Sequence, residues 1–279
     1  VYDALVPYYI GEIYLLKGDF QKADEVASDY LRHFAGHKDE VEMKRIQGEA
    51  RYGMKDYLTS VASLKDYVNA TAHPQRKAMY ELGMGYYHTG AYTDAVEMLG
   101  RTTAESDALA QNAYLHMGLA CLQLKERNQA RMAFEQASVG DYDKAVKEQA
   151  LYNYALCIHE TSYSPFAESV TVFERFLNEF PDSRYRERVN DYLVEVYMNT
   201  RSYDAALKSI AKIQQPGPRI MEAKQKIYFR LGTQAFANAE FQKALANFNH
   251  SLEIGRYNSA TQADAYYWRR EANYRLENY

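Results

Sequence analysis

The chain has 279 residues, of which 47% are hydrophobic and 25% are charged, and its formal net charge is −4. This acidic balance argues against nucleic-acid binding, which usually needs a basic face. The absence of any run of about 18 apolar residues argues against a membrane span. Only 14 glycines and 6 prolines occur, which favours helices joined by short connections.

One segment recurs along the chain, in which a small residue is followed by an aromatic residue, a turn and then an aromatic-x-x-Ala sequence. It is clearest in residues 11–23, 83–95 and 232–244. Weaker copies are centred on Gly48, Gly118, Ala155 and Val194. The steps between successive small residues run from 35 (Gly48 to Gly83) to 39 (Ala155 to Val194), which is typical of a repeated two-helix unit.

Each unit holds two apolar-periodic stretches joined by a turn of about three residues, which predicts two antiparallel helices. The small residue lets the second helix approach closely, and an alanine in the second helix acts in the same way from the other side. The alanines at this place are Ala23, Ala95, Ala130, Ala206 and Ala244. One hairpin cannot bury both of its faces, so neighbouring hairpins must stack. The predicted units of a single all-α domain are 4–40, 41–75, 76–110, 111–147, 148–186, 187–224, 225–262 and a partial unit 263–279.

This pattern resembles the tetratricopeptide repeat (TPR), whose signature runs Trp-x-x-Leu-Gly-x-x-Tyr and then Ala, Phe, Ala and Pro. The resemblance covers nearly the whole chain, although the Trp of the signature is replaced except near Trp268. It implies a right-handed α–α superhelix, a solenoid of about seven and a half helical hairpins. The fifth unit carries about two extra residues in the stretch 162–165, so we expect a longer turn there.

Residues 173–183, which read Phe-Glu-Arg-Phe-Leu-Asn-Glu-Phe-Pro-Asp-Ser, resemble a TPR variant common in bacterial cell-envelope proteins. The ending 267–272 is similar to it. The resemblance implies a periplasmic or outer-membrane-associated location in preference to the cytoplasm. Because the chain starts at Val1 within a helical pattern, we expect an internal part of a longer protein, with any targeting segment elsewhere.

The residues offer little catalytic chemistry. The sequence has no His-Glu-x-x-His run, nucleophile elbow, phosphate-binding glycine-rich loop or Cys-x-x-Cys pair. His33 and His37 are four residues apart, but Gly36 between them is typical of a helix end, which favours a solvated pair over a metal site. Cys121 and Cys157 lie among apolar residues, so we expect buried thiols, and a disulfide only if their helices are neighbours. We therefore expect no enzymatic activity, no cofactor and no bound metal.

In arrays of this kind the first helix of each unit lines the concave surface. The resemblance thus implies groove positions three before, one after and four after the small residue. The expected partner-binding residues are Tyr8, Tyr52, Tyr80, Met84, Tyr87, Leu115, Leu119, Tyr152, His159 and Phe229. Tyrosine and methionine are enriched in binding surfaces, which favours a protein partner that offers an amphipathic helix or an extended apolar peptide. Packing of each ring against a neighbouring helix is the alternative.

Some relatives hold the C-terminal carboxylate of a peptide with Lys and Asn on successive first helices. Lys77 and Asn112 alone do not rebuild that clamp, so this mode of binding is not expected here. The leading hypothesis is a non-catalytic scaffold for protein–protein interaction. The alternatives are a structural spacer that sets a distance, or a self-associating subunit of a larger bacterial envelope protein.

Overall fold

The computed structural model describes residues 5–161, 165–200 and 202–277, and the regular secondary structure of these residues is entirely helical. The helices in chain order are α1 (Leu5–Lys17), α2 (Phe20–His33), α3 (Glu40–Gly53), α4 (Tyr57–Ala70), α5 (Arg76–Thr89), α6 (Tyr92–Gly100), α7 (Ala108–Gln123), α8 (Arg127–Val139), α9 (Lys144–Thr161), α10 (Pro165–Glu179), α11 (Arg186–Asn199), α12 (Tyr203–Ile210), α13 (Pro218–Ala237), α14 (Phe241–Glu253) and α15 (Ser259–Arg275). The predicted all-α repeat fold is confirmed. The predicted long turn falls on residues 162–164, which lie outside the described residues.

The chain divides into two compact units, Val1–Cys157 and Ile158–Tyr279, with the boundary inside α9. In the first unit each helix from α1 to α7 packs against the next one along the chain. The first helices of successive hairpins also lie side by side, α1 with α3, α3 with α5 and α5 with α7. In the second unit α13 packs against α11, α12, α14 and α15. The first unit therefore presents one surface made only of first helices.

A small residue in the first helix and a large residue in the second helix form the joint of several hairpins. At each joint glycine, a Cβ atom would lie well inside van der Waals contact of a side chain sixteen positions later. The pairs are Gly48 with Leu64 (2.5 Å), Gly83 with Leu99 (2.7 Å), Gly118 with Phe134 (2.5 Å) and Gly232 with Phe248 (2.5 Å). All four large side chains are fully buried, so they have no room to move aside. The five predicted alanines of the second helices are also fully buried. Of the weaker predicted anchors, Val194 is only half-buried.

The turn inside a hairpin repeats the same hydrogen bond. The amide of Asp19 donates to the carbonyl of Tyr14, and that of Asp56 donates to the carbonyl of Arg51, each over 2.9 Å. The same bond recurs at Ala91, Glu126 and Glu240. It is the outer bond of a Schellman motif, which needs a left-handed residue just before the donor. That residue is Gly18, Lys55, Gly90, Lys125 or Ala239 in turn.

Buried glutamines hold the loops between hairpins. The Nε2 atom of Gln111 donates to the carbonyls of Ala137 (3.1 Å) and Gly140 (2.6 Å), and its Oε1 accepts from the amide of Asp143 (2.8 Å). Gln225 makes the same kind of clamp in the second unit, on the carbonyl of Gly255 and the amide of Asn258. These bonds satisfy buried and partly buried backbone groups of the loops and of the helix end beside them. Cys121 and Cys157 are buried and are not joined by a disulfide, as expected.

Candidate partner-binding surface

The surface of α1, α3, α5 and α7 in the first unit carries most of the predicted groove residues, and we call it the first-helix face. Seven of the ten predicted residues are half-buried, which leaves part of each side chain open to a partner. They are Tyr8, Tyr52, Tyr80, Tyr87, Leu119, His159 and Phe229. Three are buried instead, and these are Met84, Leu115 and Tyr152, with exposed fractions of 5%, 3% and 5%.

The burial of Met84 has a simple packing reason. Its side chain belongs to a small core with Leu99 and Ala113, so it points towards the neighbouring hairpin. His159 and Phe229 belong to the second unit, and each contacts rings there: His159 lies 5.2 Å from Tyr192, and Phe229 lies 5.9 Å from Phe248. The structure therefore brings Tyr8, Tyr52, Tyr80, Tyr87 and Leu119 to the first-helix face, and it does not bring all ten residues to one unit.

A row of aromatic rings runs from the turn ends of α3 and α5 to the middle of α7. The Tyr52 ring lies 5.7 Å from Tyr57, which stacks on His88 at 4.1 Å. His88 lies 5.5 Å from Tyr87, and Tyr87 lies 5.1 Å from His116. Tyr92 extends the row, at 5.8 Å from Tyr87. We call this set the aromatic row, and its members are Tyr52, Tyr57, Tyr87, His88, Tyr92 and His116.

Sequence reasoning identified Tyr52 and Tyr87 but missed the other members of the row. A signal for two of them was present. Tyr57 and Tyr92 are the first residues of α4 and α6, a place that an aromatic residue also occupies in other second helices. Those residues are Phe20, Tyr203 and Phe241. An aromatic residue at the start of a second helix therefore marks the edge of the first-helix face.

A network of charges occupies the other end of the first-helix face. Arg45 is buried in α3, and its guanidinium donates to Glu49 (2.9 Å), to Glu42 (2.8 Å) and to Glu12 of α1. The ammonium of Lys77 from α5 donates to the second oxygen of Glu49 over 2.7 Å. Arg45 and Glu49 lie three residues before and one residue after Gly48, which are two of the groove positions that the resemblance implies. Glu49 thus links two cations from neighbouring hairpins.

Glu81 is the member of this network with the least compensation. Its Oε1 is 3.5 Å from the Lys77 ammonium, and its Oε2 is buried without a hydrogen-bond partner. Burial and the nearby carboxylate of Glu49 raise the pKa of Glu81 to about 7, against the opposing pull of Lys77 and Arg45. Burial opposes the charge of Arg45, but Glu49, Glu42 and Glu12 together raise the Arg45 pKa above its usual value. The network accordingly holds a fixed cation and a carboxyl group that titrates near neutrality.

Tyr80 lies next to this network, within reach of the charge of Glu81. The Tyr80 hydroxyl donates to the side-chain oxygen of Asn112 on α7 over 2.8 Å. Burial, followed by the charge of Glu81, raises the pKa of Tyr80 to about 12. The ammonium of Lys77 and the oxygen of Asn112 are therefore engaged within the chain.

Cavities also lie elsewhere among the described residues. One of about 520 Å³ opens between the α6–α7 and α8–α9 loops, and its lining includes Asp107, Gln111 and Tyr142. Asp107 pairs there with Arg76 through two bonds of 2.5 and 2.8 Å, which lower the pKa of Asp107. A smaller cavity of about 190 Å³ lies between α11 and α13, against Met198 and Arg219 among others. Lining residues of both cavities already form hydrogen bonds or ion pairs within the chain.

Among the described residues, no group of three or more His, Cys, Asp or Glu side chains is placed to hold a metal ion. None of the described helices combines the length and apolar character needed to cross a lipid bilayer.

The chain matches no protein-family model, and no curated protein resembles it in sequence. Solved structures do resemble it. A tetratricopeptide repeat protein from Parabacteroides merdae aligns over 98% of this chain and 99% of its own, with a TM-score of 0.50 and 14% identity. The C-terminal part of a TPR repeat-containing protein from Cytophaga hutchinsonii covers 92% of this chain and 98% of its own (TM-score 0.51, 11% identity). YrrB, described as a TPR protein with an unusual peptide-binding site, covers 68% of this chain and 92% of its own (TM-score 0.56, 13% identity). The chain therefore has the fold of tetratricopeptide repeat proteins.

Proposed function

We propose that the protein is a non-catalytic scaffold whose first-helix face binds a peptide or helix of a partner protein. The observation that carries this proposal is the aromatic row. Its rings belong to three successive hairpins, and its tyrosines are only half-buried. Tyrosine offers a large amphipathic contact area at a low cost in conformational entropy, which suits a binding surface. The fold shared with YrrB, a protein described as having a peptide-binding site, agrees with this proposal.

The test is a selection of peptides from a random dodecapeptide display library on the purified protein. We expect the selected peptides to lose binding to the double variant Tyr80→Ala and Tyr87→Ala, because the variant removes two ring surfaces from the first-helix face. The matched control is the double variant Leu58→Ala and Met132→Ala, which changes exposed residues of the second helices α4 and α8. Peptides that bind the Tyr80/Tyr87 variant as well as the wild type would contradict the proposal.

A second role, self-association, is favoured by a different surface. Four apolar side chains at helical spacing project from α1, namely Val6, Tyr9, Ile13 and Leu16, with exposed fractions of 50%, 60%, 48% and 86%. In α3, α5 and α7 the second helix of the preceding hairpin packs on the first helix. The apolar face of α1 offers a similar place to a helix of another copy. Sedimentation of the wild type should then show concentration-dependent association that Ile13→Glu with Leu16→Glu abolishes, whereas a monomeric wild type would exclude this role.

We further propose a location in the bacterial periplasm or at the outer membrane, on the strength of the motif at residues 173–183. Fusion of a reporter that folds only in an oxidising compartment to the full-length protein would test this location. Active reporter is expected, and an inactive but stably expressed fusion would contradict it.

A further inference from the structure

The charge network of the first-helix face is unbalanced. It contains the carboxylates of Glu12, Glu42, Glu49 and Glu81 and the cations of Arg45 and Lys77. Two positive charges against four negative ones leave a formal excess of two negative charges when all six groups are ionised. Glu81 is the buried carboxylate with the weakest pairing, because its one cation, Lys77, is shared with Glu49, so a further cation beside Glu81 would be favourable.

The place where a further cation would bind is set by a single carboxyl group. Glu81 is 7% exposed, and its Oε2 has no hydrogen-bond partner. Lys77 is already closer to Glu49, at 2.7 Å, than to Glu81, at 3.5 Å. A buried polar atom in a native structure normally has a partner, so the unpaired Oε2 is the atom of this network best suited to accept from a donor of another molecule.

The surroundings of Glu81 select the kind of cation. Tyr52 and Tyr80 lie close enough for the charge of Glu81 to raise the pKa of both phenols, after the larger effect of burial. A planar guanidinium can pair with both oxygens of one carboxylate and also stack on an aromatic ring, which a compact ammonium does less well. A divalent metal is disfavoured, since the described residues contain no set of ligands placed for one.

We propose that Glu81 is the receptor for an arginine side chain of a partner peptide, an inference that rests on the peptide-binding function proposed above. Binding requires the Glu81 carboxyl to turn outwards and the Lys77 ammonium to move away from it. The side chain of Lys77 is 60% exposed, so it has open space to move into. Arginine recognition would then sit beside the apolar and aromatic contacts of the same face.

The proposal also requires that proton release accompany binding. The groups that face Glu81 are Glu49, Arg45 and Tyr52 from α3, and Lys77 and Tyr80 from α5 itself. On α4, Tyr67 lies within electrostatic reach of Glu49. Since the pKa of Glu81 is raised to about 7, the carboxyl is protonated in acid and must lose its proton to pair with a guanidinium. Arginine binding should therefore strengthen as the pH rises through neutrality.

The experiment uses two fluorescein-labelled dodecapeptide pools with randomised apolar and aromatic flanks. Their central residue is arginine in one pool and citrulline, its neutral isostere, in the other. Fluorescence anisotropy with the wild type at pH 8 should show roughly tenfold tighter binding of the arginine pool, the range for one charge-assisted hydrogen-bonded pair. This preference should shrink at pH 5.5 and disappear in Glu81→Gln. It should persist in the control Glu253→Gln, which changes an exposed glutamate of the second unit.

Lys77→Ala gives a test in the opposite direction. Removal of the competing ammonium should tighten binding of the arginine pool and leave the citrulline pool unchanged, and weaker binding of the arginine pool would contradict the proposal. Equal binding of the two pools by the wild type, or an arginine preference that survives Glu81→Gln, would overturn it. If both pools bind equally and the Tyr80/Tyr87 variant loses binding of both, the proposed peptide-binding function is supported and the proposed role of Glu81 as an arginine receptor is refuted. If neither pool binds, both the peptide-binding function and the arginine receptor are refuted.

Discussion

At the scale of single residues, the joint of each hairpin depends on the absence of one methyl group. An alanine Cβ at position 118 would lie 2.5 Å from the ring of Phe134, which is fully buried. The ring has no empty space to move into, so the helices must separate or the backbone must shift.

We therefore expect Gly118→Ala to lower the free energy of unfolding by about 1–3 kcal/mol, the range for overpacked cores. The matched control is Gly100→Ala at the end of α6, where the nearest atom to the new Cβ, in Met117, is 3.7 Å away. Urea denaturation followed by circular dichroism measures both variants. A Gly118→Ala protein as stable as the Gly100→Ala protein would show that the joint tolerates an extra methyl group.

The carboxyl of Glu81 makes a second prediction at this scale. Burial and Glu49 raise its pKa from the ordinary 4.5 to about 7. Between these values the unfolded chain ionises Glu81 while the folded chain keeps the proton, so the unfolded state holds fewer protons. The contribution of Glu81 to stability is thus fully present below pH 4.5, falls as the pH rises to about 7 and stays low above that.

Glu81→Gln removes this titration. From pH 5 to pH 8 the stability of Glu81→Gln should rise relative to the wild type by on the order of 1–3 kcal/mol. Denaturation curves for both proteins at several pH values provide the measurement, with Glu253→Gln as the control. A stability difference that does not change with pH would mean that Glu81 ionises in its usual range.

At the scale of helices and loops, the side chains of the buried glutamines satisfy backbone groups of the loops, as backbone hydrogen bonds do within a helix. Gln111 satisfies two carbonyls and one amide of the α8–α9 connection. We expect Gln111→Leu to destabilise the protein by about 2–3 kcal/mol, because buried loop groups lose their partners.

Gln123→Leu is the control for this effect, since it makes the same change at an exposed position of the same helix. Its effect should stay within about 0.5 kcal/mol. Thermal unfolding monitored by circular dichroism distinguishes the two variants. If both lose equal stability, the loop bonds of Gln111 contribute nothing beyond the change in helix composition.

The scale of elements also shows what sequence reasoning could reach. The hairpin joint was predictable, because Gly and Ala recur at a fixed period. The large side chain that meets each joint glycine also lies at a fixed separation, sixteen positions later in the same hairpin. The site was less predictable. Burial of Met84 depends on Ala113 of the next hairpin, and the link between Glu49 and Lys77 joins residues 28 positions apart. Contacts of that kind depend on how neighbouring hairpins pack, and they produce no periodic pattern in the sequence.

At the scale of the whole molecule, the chain forms two compact units. The second unit has the same kind of joint as the first, since a Cβ at Gly232 would lie 2.5 Å from the buried ring of Phe248. In repeat proteins each hairpin is stabilised mainly by its nearest neighbours, so damage at one joint stays local.

We expect Gly232→Ala to speed amide hydrogen exchange in α13 and α14 while protection in α3 to α7 remains unchanged. Gly118→Ala should do the reverse, with faster exchange in α7 and α8. Exchange measured by mass spectrometry on the intact chain reports both regions in one experiment. Equal acceleration of both regions in either variant would indicate a single cooperative unit instead.

The regular spacing of the joints has a consequence for how this chain can change over generations. Gly48, Gly83 and Gly118 follow one another at intervals of 35 residues, and each meets a leucine or a phenylalanine in the same way. Duplication or loss of one such stretch of gene would recreate an existing joint and require no new packing solution. The number of hairpins can therefore change by whole units. Residues of the first-helix face that lie outside the cores of the joints can diversify separately.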